Sequence, residues 1–208
     1  MTTLILLRHA ETTTGAGRFV GQTDVVLSAS GNLQSQTLLH HWPHGRPDIV
    51  YTSSLMRTSL SIAPLLAHYT TQANVDPRLD EMHFGDWELL DWPRVEQRSP
   101  VLARVWTDDW VNTVVPNGES FAMVKARVAQ ALSSILAQSY QNQSGATILV
   151  VAHAGTIRAC LCELLGFSEK YAFSLKLDYL HRYVLVRQYD RWVLTQSNVP
   201  PCNTEARM

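Results

Sequence analysis

Leu4 to Leu7 and Ile148 to Val151 are unbroken runs of Leu, Ile and Val, and each is followed, one residue later, by a histidine: His9 and His153. Apolar residues at successive rather than alternate positions predict strands buried on both faces, and the small and polar residues after each histidine predict a turn. Both imidazoles therefore fall at strand ends. In open α/β sheets ligands bind beyond the carboxyl ends of parallel strands, so two histidines delivered there by distant segments are placed to face one ligand.

The rest of the chain continues the alternation. A Gly- and Thr-rich loop over 11–28 leads into an amphipathic helix over 29–42, ended by Pro43 and Pro47. Asp48 to Thr52 predicts a second buried strand, with Ser53 and Ser54 as caps for a helix over about 55–69. Asn74 to Leu79 predicts a third strand. Phe121, Val124, Val128, Leu132 and Ile135 recur at helical spacing in one long helix that ends over 142–145. A helix over 156–165 and a hairpin of 183–188 with 192–196 around Tyr189-Asp190-Arg191 complete the pattern, and the tail after Pro200 is expected to be mobile. The predicted class is α/β, a three-layer sandwich with a mostly parallel central sheet and helices on both faces.

Between Asp80 and Pro116 the rhythm breaks, and Trp87, Trp92, Trp106 and Trp110 cluster there. This predicts a helical insertion. Its indoles either anchor it onto the core or offer aromatic faces to a ligand, possibilities that sequence leaves open.

The length of 208 residues suits one domain over 1–208, with the Trp-rich insertion at about 80–116. With 17 basic and 18 acidic residues the chain has no global field suited to nucleic acid or to an anionic membrane, so any anion must be held locally. The apolar run before Arg8 is too short for a signal-peptide core, and no stretch reaches the length of a membrane span; a cytoplasmic protein is expected. Cys160, Cys162 and Cys202 lack zinc-finger spacing, and the first two read as small core residues.

Arg8 beside His9, at the head of the Thr- and Gly-rich loop, puts a cation and a nitrogen nucleophile next to backbone N–H groups. Arg8 directly follows apolar strand residues and is expected to be half-buried, where a guanidinium needs an anion. Arg57, in the first turn of the helix after the second strand, adds another cation at the same sheet edge.

Leu7-Arg-His-Ala-Glu-Thr12 resembles the Arg-His-Gly-Glu-Thr signature of the histidine phosphatase superfamily, the phosphoglycerate mutase-like fold. Ser54-Leu-Met-Arg57, Leu79-Asp-Glu81-Met-His-Phe-Gly-Asp-Trp-Glu88, Asn117-Gly-Glu-Ser120 and Val151-Ala-His153-Ala-Gly155 resemble its further motifs, in the same order. The resemblance implies that His9 is the nucleophile that takes up a phosphoryl group, with Arg8, Arg57 and His153 around its equatorial oxygens. It also implies that Glu81 is the acid that protonates the leaving oxygen and then the base for the hydrolytic water, with Asp86 and Glu88 as rivals. The arginine charges are expected to lower the pKa of His9. Backbone at Gly21, the Gln22 side chain and Ala154 are expected at the substrate. The implied substrate is a small phosphate monoester, with no metal or other cofactor, no nucleic acid and no membrane; monomer and homodimer both stay open.

Ala10 and Ala154 stand where the family usually has glycine, and Gly15 where asparagine is usual. Alanine is compatible with the pocket if its φ stays negative. Within the superfamily, the segments 81–88, Trp106-Thr-Asp-Asp-Trp110 and Val115-Pro-Asn-Gly-Glu119 most resemble alpha-ribazole phosphatases, which act on alpha-ribazole 5′-phosphate in cobalamin biosynthesis. A broad small-metabolite phosphatase, a phosphoglycerate mutase, a non-catalytic phosphoester-binding module and a histidine metal site are the alternatives.

Overall fold

A computed structural model describes residues 1–142 and 145–201. In chain order the elements are β1 (Thr3–Arg8), α1 (Ala29–His40), β2 (Ile49–Thr52), α2 (Met56–Tyr69), β3 (Asn74–Val75), α3 (Trp92–Arg98), α4 (Pro100–Asp108), α5 (Phe121–Asn142), β4 (Thr147–Ala152), α6 (Ala154–Leu165), β5 (Arg182–Gln188) and β6 (Arg191–Val199). Cys202 and the tail predicted to be mobile from there on lie outside the described residues.

The six strands form one sheet in the order β3-β2-β4-β1-β5-β6. β1, β2, β3 and β4 run parallel, whereas β5 is antiparallel to β1, and β6 to β5. The α/β, mostly parallel architecture expected from the sequence is the one found.

Side chains on a strand point alternately to its two faces, and the unbroken apolar runs supply both. Leu4, Leu6, Ile148 and Val150 pack with Val124, Val128 and Leu132 of α5 and with Ile157 and Leu161 of α6. Ile5, Leu7, Leu149 and Val151 pack on the other face with Leu38 of α1 and with Ile62 and Leu65 of α2. Each of these buried side chains contributes about 1.5–3 kcal/mol relative to exposure. Cys160 and Cys162 are buried on α6, and burial pushes the Cys160 thiol up to about 12.

The third strand is shorter than expected. Only Asn74 and Val75 pair with β2, because Pro77 opens a short 3-10 helix over Pro77–Leu79. Ser53 and Ser54 do not cap α2, whose flanking residue is Leu55, without a side-chain cap. No helix among the described residues is long and apolar enough to cross a membrane.

Candidate active site

Parallel pairing sets Arg8 of β1 opposite Ala152 of β4, so the next residues, His9 and His153, leave the sheet side by side. Their ring centroids are 5.1 Å apart. His9 Nδ1 lies 2.7 Å from the carbonyl oxygen of Ala10. A carbonyl only accepts, so Nδ1 carries the hydrogen and the neutral ring keeps its lone pair on Nε2. Burial first, and the Arg57 and Arg8 charges second, hold His9 well below the ordinary histidine range. Desolvation is thus the larger cause, where the sequence points to the arginines alone.

His153 is completely buried and is also held well below the ordinary range, by burial and then by Arg57. Its Nδ1 accepts from Arg57 Nε at 3.2 Å, which leaves Nε2–H to donate to Ser53 Oγ at 2.8 Å. Ser53, expected as a helix cap, thus follows β2 and holds an imidazole that follows β4. Ser54 turns instead to Asp80, donating from its amide and its hydroxyl at 2.7 Å each.

Arg57 is buried on α2, with Nη1 donating to the Thr23 carbonyl at 3.1 Å and Nη2 to the Gly21 carbonyl at 2.6 Å. All these acceptors are neutral. Arg8, half-buried at the end of β1, has its guanidinium carbon 3.9 Å from the centre of the Tyr179 ring, and its Nη1 donates to the Leu177 carbonyl. Its Nε is buried without a hydrogen-bond partner. Neither guanidinium forms an ion pair among the described residues; Glu81 is the carboxylate whose charge bears on both, from beyond contact distance, so two positive charges meet at one sheet edge without a direct partner. Such an arrangement suits an incoming anion.

Glu81 reaches this edge from the segment after β3. Its Oε2 accepts from the Gly155 amide at 3.0 Å, and its Oε1 from the amides of Thr156 at 3.3 Å and Met82 at 3.0 Å. His153, the residue before α6, gives no side-chain cap, so a carboxylate from elsewhere in the chain satisfies the first turn of that helix. The Glu81 backbone is fixed as well. Its carbonyl accepts from Gln22 Nε2 at 3.1 Å and from Arg127 Nη2 at 3.0 Å, while Arg127 Nη1 holds the carbonyls of Arg78 and Asp80. Arg127 is paired with Glu119, whose other oxygen accepts from the His83 amide. The Asn-Gly-Glu-Ser motif, read from sequence as a loop before the long helix, therefore clamps the segment bearing Glu81.

A cavity of about 580 Å³ opens beyond the histidines. Of the predicted site residues, Arg8, His9, Glu81 and Ala154 line it. Arg57, His153, Gly21 and Gln22 do not; they form a supporting layer linked by the bonds described above. The rival acids Asp86 and Glu88 are also absent from the lining: Asp86 accepts from Asn117, and Glu88 binds the 21–23 loop. Sequence reasoning missed Tyr179, Asp178 and Arg158 in the lining, because each acts across the fold and no local periodicity marks it.

A profile of the histidine phosphatase superfamily, branch 1, matches residues 4–200. The chain belongs to that superfamily. Its relatives there are named as phosphatases, in keeping with a phosphomonoester hydrolase. It is 31% identical over 178 residues to the adenosylcobalamin/alpha-ribazole phosphatase of Escherichia coli K12, covering 84% of this chain and 85% of that one. It is 29% identical over 200 residues to phosphoserine phosphatase 1 of Hydrogenobacter thermophilus, covering 96% and 93%. The crystal structure of the alpha-ribazole phosphatase from Shigella flexneri superposes with a TM-score of 0.85 at 26% identity, covering 94% of this chain and 96% of that one.

The departures from the superfamily signature are accommodated locally. Neither Ala10 nor Ala154 of this phosphatase is among its positive-φ residues, so a methyl group is tolerated at both. Gly15 has a φ of +67°, a left-handed value that asparagine also accepts. The four tryptophans divide between the two roles left open by sequence. Trp87 and Trp92 pack with Phe19 and Trp106 against the core, whereas Trp106 and Trp110 line the phosphatase cavity. Phe19 also meets Phe84 at 4.9 Å, and Trp110 meets Phe121 at 4.8 Å and Phe173 at 4.5 Å. All of these rings except Trp87 and Trp92 line the cavity, which also carries Arg18 and Arg158, the latter with its guanidinium carbon 4.9 Å from the centre of the Phe173 ring.

Proposed function

We propose that this phosphatase hydrolyses alpha-ribazole 5′-phosphate through a phosphohistidine intermediate, with no metal or other cofactor. The observation that carries the reaction is His9, whose Nδ1–H on the Ala10 carbonyl leaves the Nε2 lone pair free, beside two guanidinium groups that form no ion pair among the described residues. In the first half-reaction, His9 Nε2 attacks phosphorus, the ester P–O bond breaks, and Glu81 gives a proton to the leaving oxygen. In the second, a water attacks phosphorus, the N–P bond breaks, and the Glu81 carboxylate takes the water proton. Orthophosphate leaves and His9 is restored.

The phosphoryl transition state spreads negative charge over three oxygens, and fixed cations stabilise it without reorganising. Arg8 and Arg57 supply those charges. His153 contributes as a neutral ring that fixes Arg57, and Ala154 offers backbone at the start of α6. The aromatic part of the cavity supports a substrate with a planar aromatic group, as the benzimidazole of alpha-ribazole provides, and relatives named as alpha-ribazole phosphatases support the same reading. The relative named as a phosphoserine phosphatase favours a second reading, a broader phosphatase of small metabolites.

Initial rates for alpha-ribazole 5′-phosphate, phosphoserine, phosphoglycerates and a panel of sugar and nucleoside monophosphates, in excess chelator, separate the two. The highest kcat/KM is expected for alpha-ribazole 5′-phosphate. Similar values across the panel would establish the broader enzyme, and loss of all activity on chelation would sink the metal-free route.

A further inference from the structure

Glu88 lies outside the cavity, yet its carboxylate is among the most heavily hydrogen-bonded groups near it. Oε2 accepts from the Gly21 amide at 3.1 Å, the Thr23 amide at 3.4 Å and the Thr23 hydroxyl at 2.8 Å. Oε1 accepts from the Gln22 amide at 3.0 Å and the Phe84 amide at 3.0 Å. Three consecutive amides of one loop thus converge on one carboxylate, a concave backbone arrangement suited to an anion. The close approach is built in. A β-carbon on Gly21 would lie 2.2 Å from Glu88 Oε1 and 2.3 Å from the Met82 carbonyl oxygen, so only glycine fits there.

The same loop residues face Arg57 through their carbonyls, with Gly21 O and Thr23 O accepting from its two terminal nitrogens. The loop is therefore an adaptor, with N–H groups on Glu88 and C=O groups on Arg57. The negative charge is kept one peptide layer away from the guanidinium instead of pairing with it. A direct ion pair would spend the Arg57 charge on a resident carboxylate; neutral carbonyls leave its field available to an incoming anion. Arg57 in turn donates to His153.

We propose that Glu88 is a positioning residue for phosphoryl transfer: through the Gly21–Thr23 loop it holds the Arg57 guanidinium in the place that the transition state requires, without taking its charge into an ion pair. The inference rests on the phosphoryl-transfer reading above. It assigns Glu88 no proton transfer, which separates its role from that of Glu81.

The test is a double-mutant cycle on the full chain, read as kcat/KM for aryl phosphates of graded leaving-group acidity and as affinity for orthovanadate, a stand-in for the pentacoordinate phosphoryl group. Glu88→Gln is expected to lower kcat/KM by about 10²-fold, the scale of a small misplacement of a reacting or stabilising group, and by the same factor for every leaving group. Vanadate affinity should fall in parallel. In an Arg57→Ala background Glu88→Gln should have little further effect, because the two act as one unit. Thr23→Val, which removes only the hydroxyl donor, should give the same signature at a smaller size, and it covers the case in which Glu88→Gln fails to fold. Additive losses in the cycle, or a loss that grows as the leaving group becomes poorer, would overturn the proposal, the second by making Glu88 an acid. A wild-type chain that neither hydrolyses aryl phosphates nor binds vanadate would instead overturn the phosphoryl-transfer reading itself, and the inference with it.

Discussion

Gly155 makes room for Glu81. The carboxylate accepts from the Gly155 amide at 3.0 Å, and a β-carbon at that position would lie 2.4 Å from Glu81 Oε1. The chain has alanine at 154, where its superfamily usually has glycine, but none of that latitude extends to the next residue. Gly155→Ala is expected to push the carboxylate off the first turn of α6 and to reduce kcat by about 10²-fold, within the range of about 10² to 10⁴-fold expected for Glu81→Gln. The double variant should be no slower than Glu81→Gln alone. Steady-state kinetics on an alkyl phosphate, whose poor leaving group needs its proton most, is the measurement; a fully active Gly155→Ala would detach Glu81 from this geometry.

His9→Ala should abolish turnover, and rapid quenching of the wild-type enzyme with a radiolabelled donor should trap the label on His9. Because burial and the two arginines hold the His9 pKa low, its Nε2 keeps its lone pair at pH values where an ordinary histidine is protonated. The acid limb of the kcat/KM profile is therefore expected below about pH 6.5, the unperturbed histidine value. An acid limb centred at that value would mean that the ring is solvated as in a free peptide.

The same two rings link stability to pH. His9 and His153 both have folded-state pKa values below the unfolded one, so between the folded value and about 6.5 the unfolded chain binds more protons than the native one. Stability is then complete above about pH 6.5 and falls as the pH drops through that value, by at most about 1.4 kcal/mol per pH unit for each ring. Urea unfolding across pH 5 to 8 checks the sign. His9→Asn should make the dependence shallower.

Trp106→Ala should weaken recognition of the aromatic part of a substrate without touching the phosphoryl chemistry. Loss of one aromatic contact corresponds to about 0.5–1.5 kcal/mol, or roughly a 2- to 12-fold rise in KM for alpha-ribazole 5′-phosphate. Phosphoserine, which has no ring to stack, should be turned over as before. Equal effects on both substrates would mean that Trp106 supports the insertion and not the ligand.

How much of this was legible in the chain depends on how local each cause is. β1 and β4 could be read because a strand buried on both faces must be apolar at every position, and their histidines followed from the same register. β3 was overdrawn because its pairing ends at Val75, where the exposed pair Asn74-Val75 gives way to the turn before Pro77. Ser53 looked like a helix cap since hydroxyls before helices usually are; its actual partner, His153, is separated from it by 100 residues. Tyr179 carried no signal at all, because a ring under a guanidinium is a meeting of β1 with the segment before β5. Glu88 was visible only as a rival acid, since its bonds to three successive amides depend on how two loops approach each other.

The ladder from Thr3–Arg8 to Thr147–Ala152 has an evolutionary corollary. The spacing between the two imidazoles is inherited from inter-strand geometry at the centre of the sheet, while the rings that would greet a substrate hang from segments around 19, 84, 106–110 and 173 that peel away from it. On the proposed mechanism, new esters could be admitted by redecorating those overhanging parts without rebuilding the site around His9 and His153.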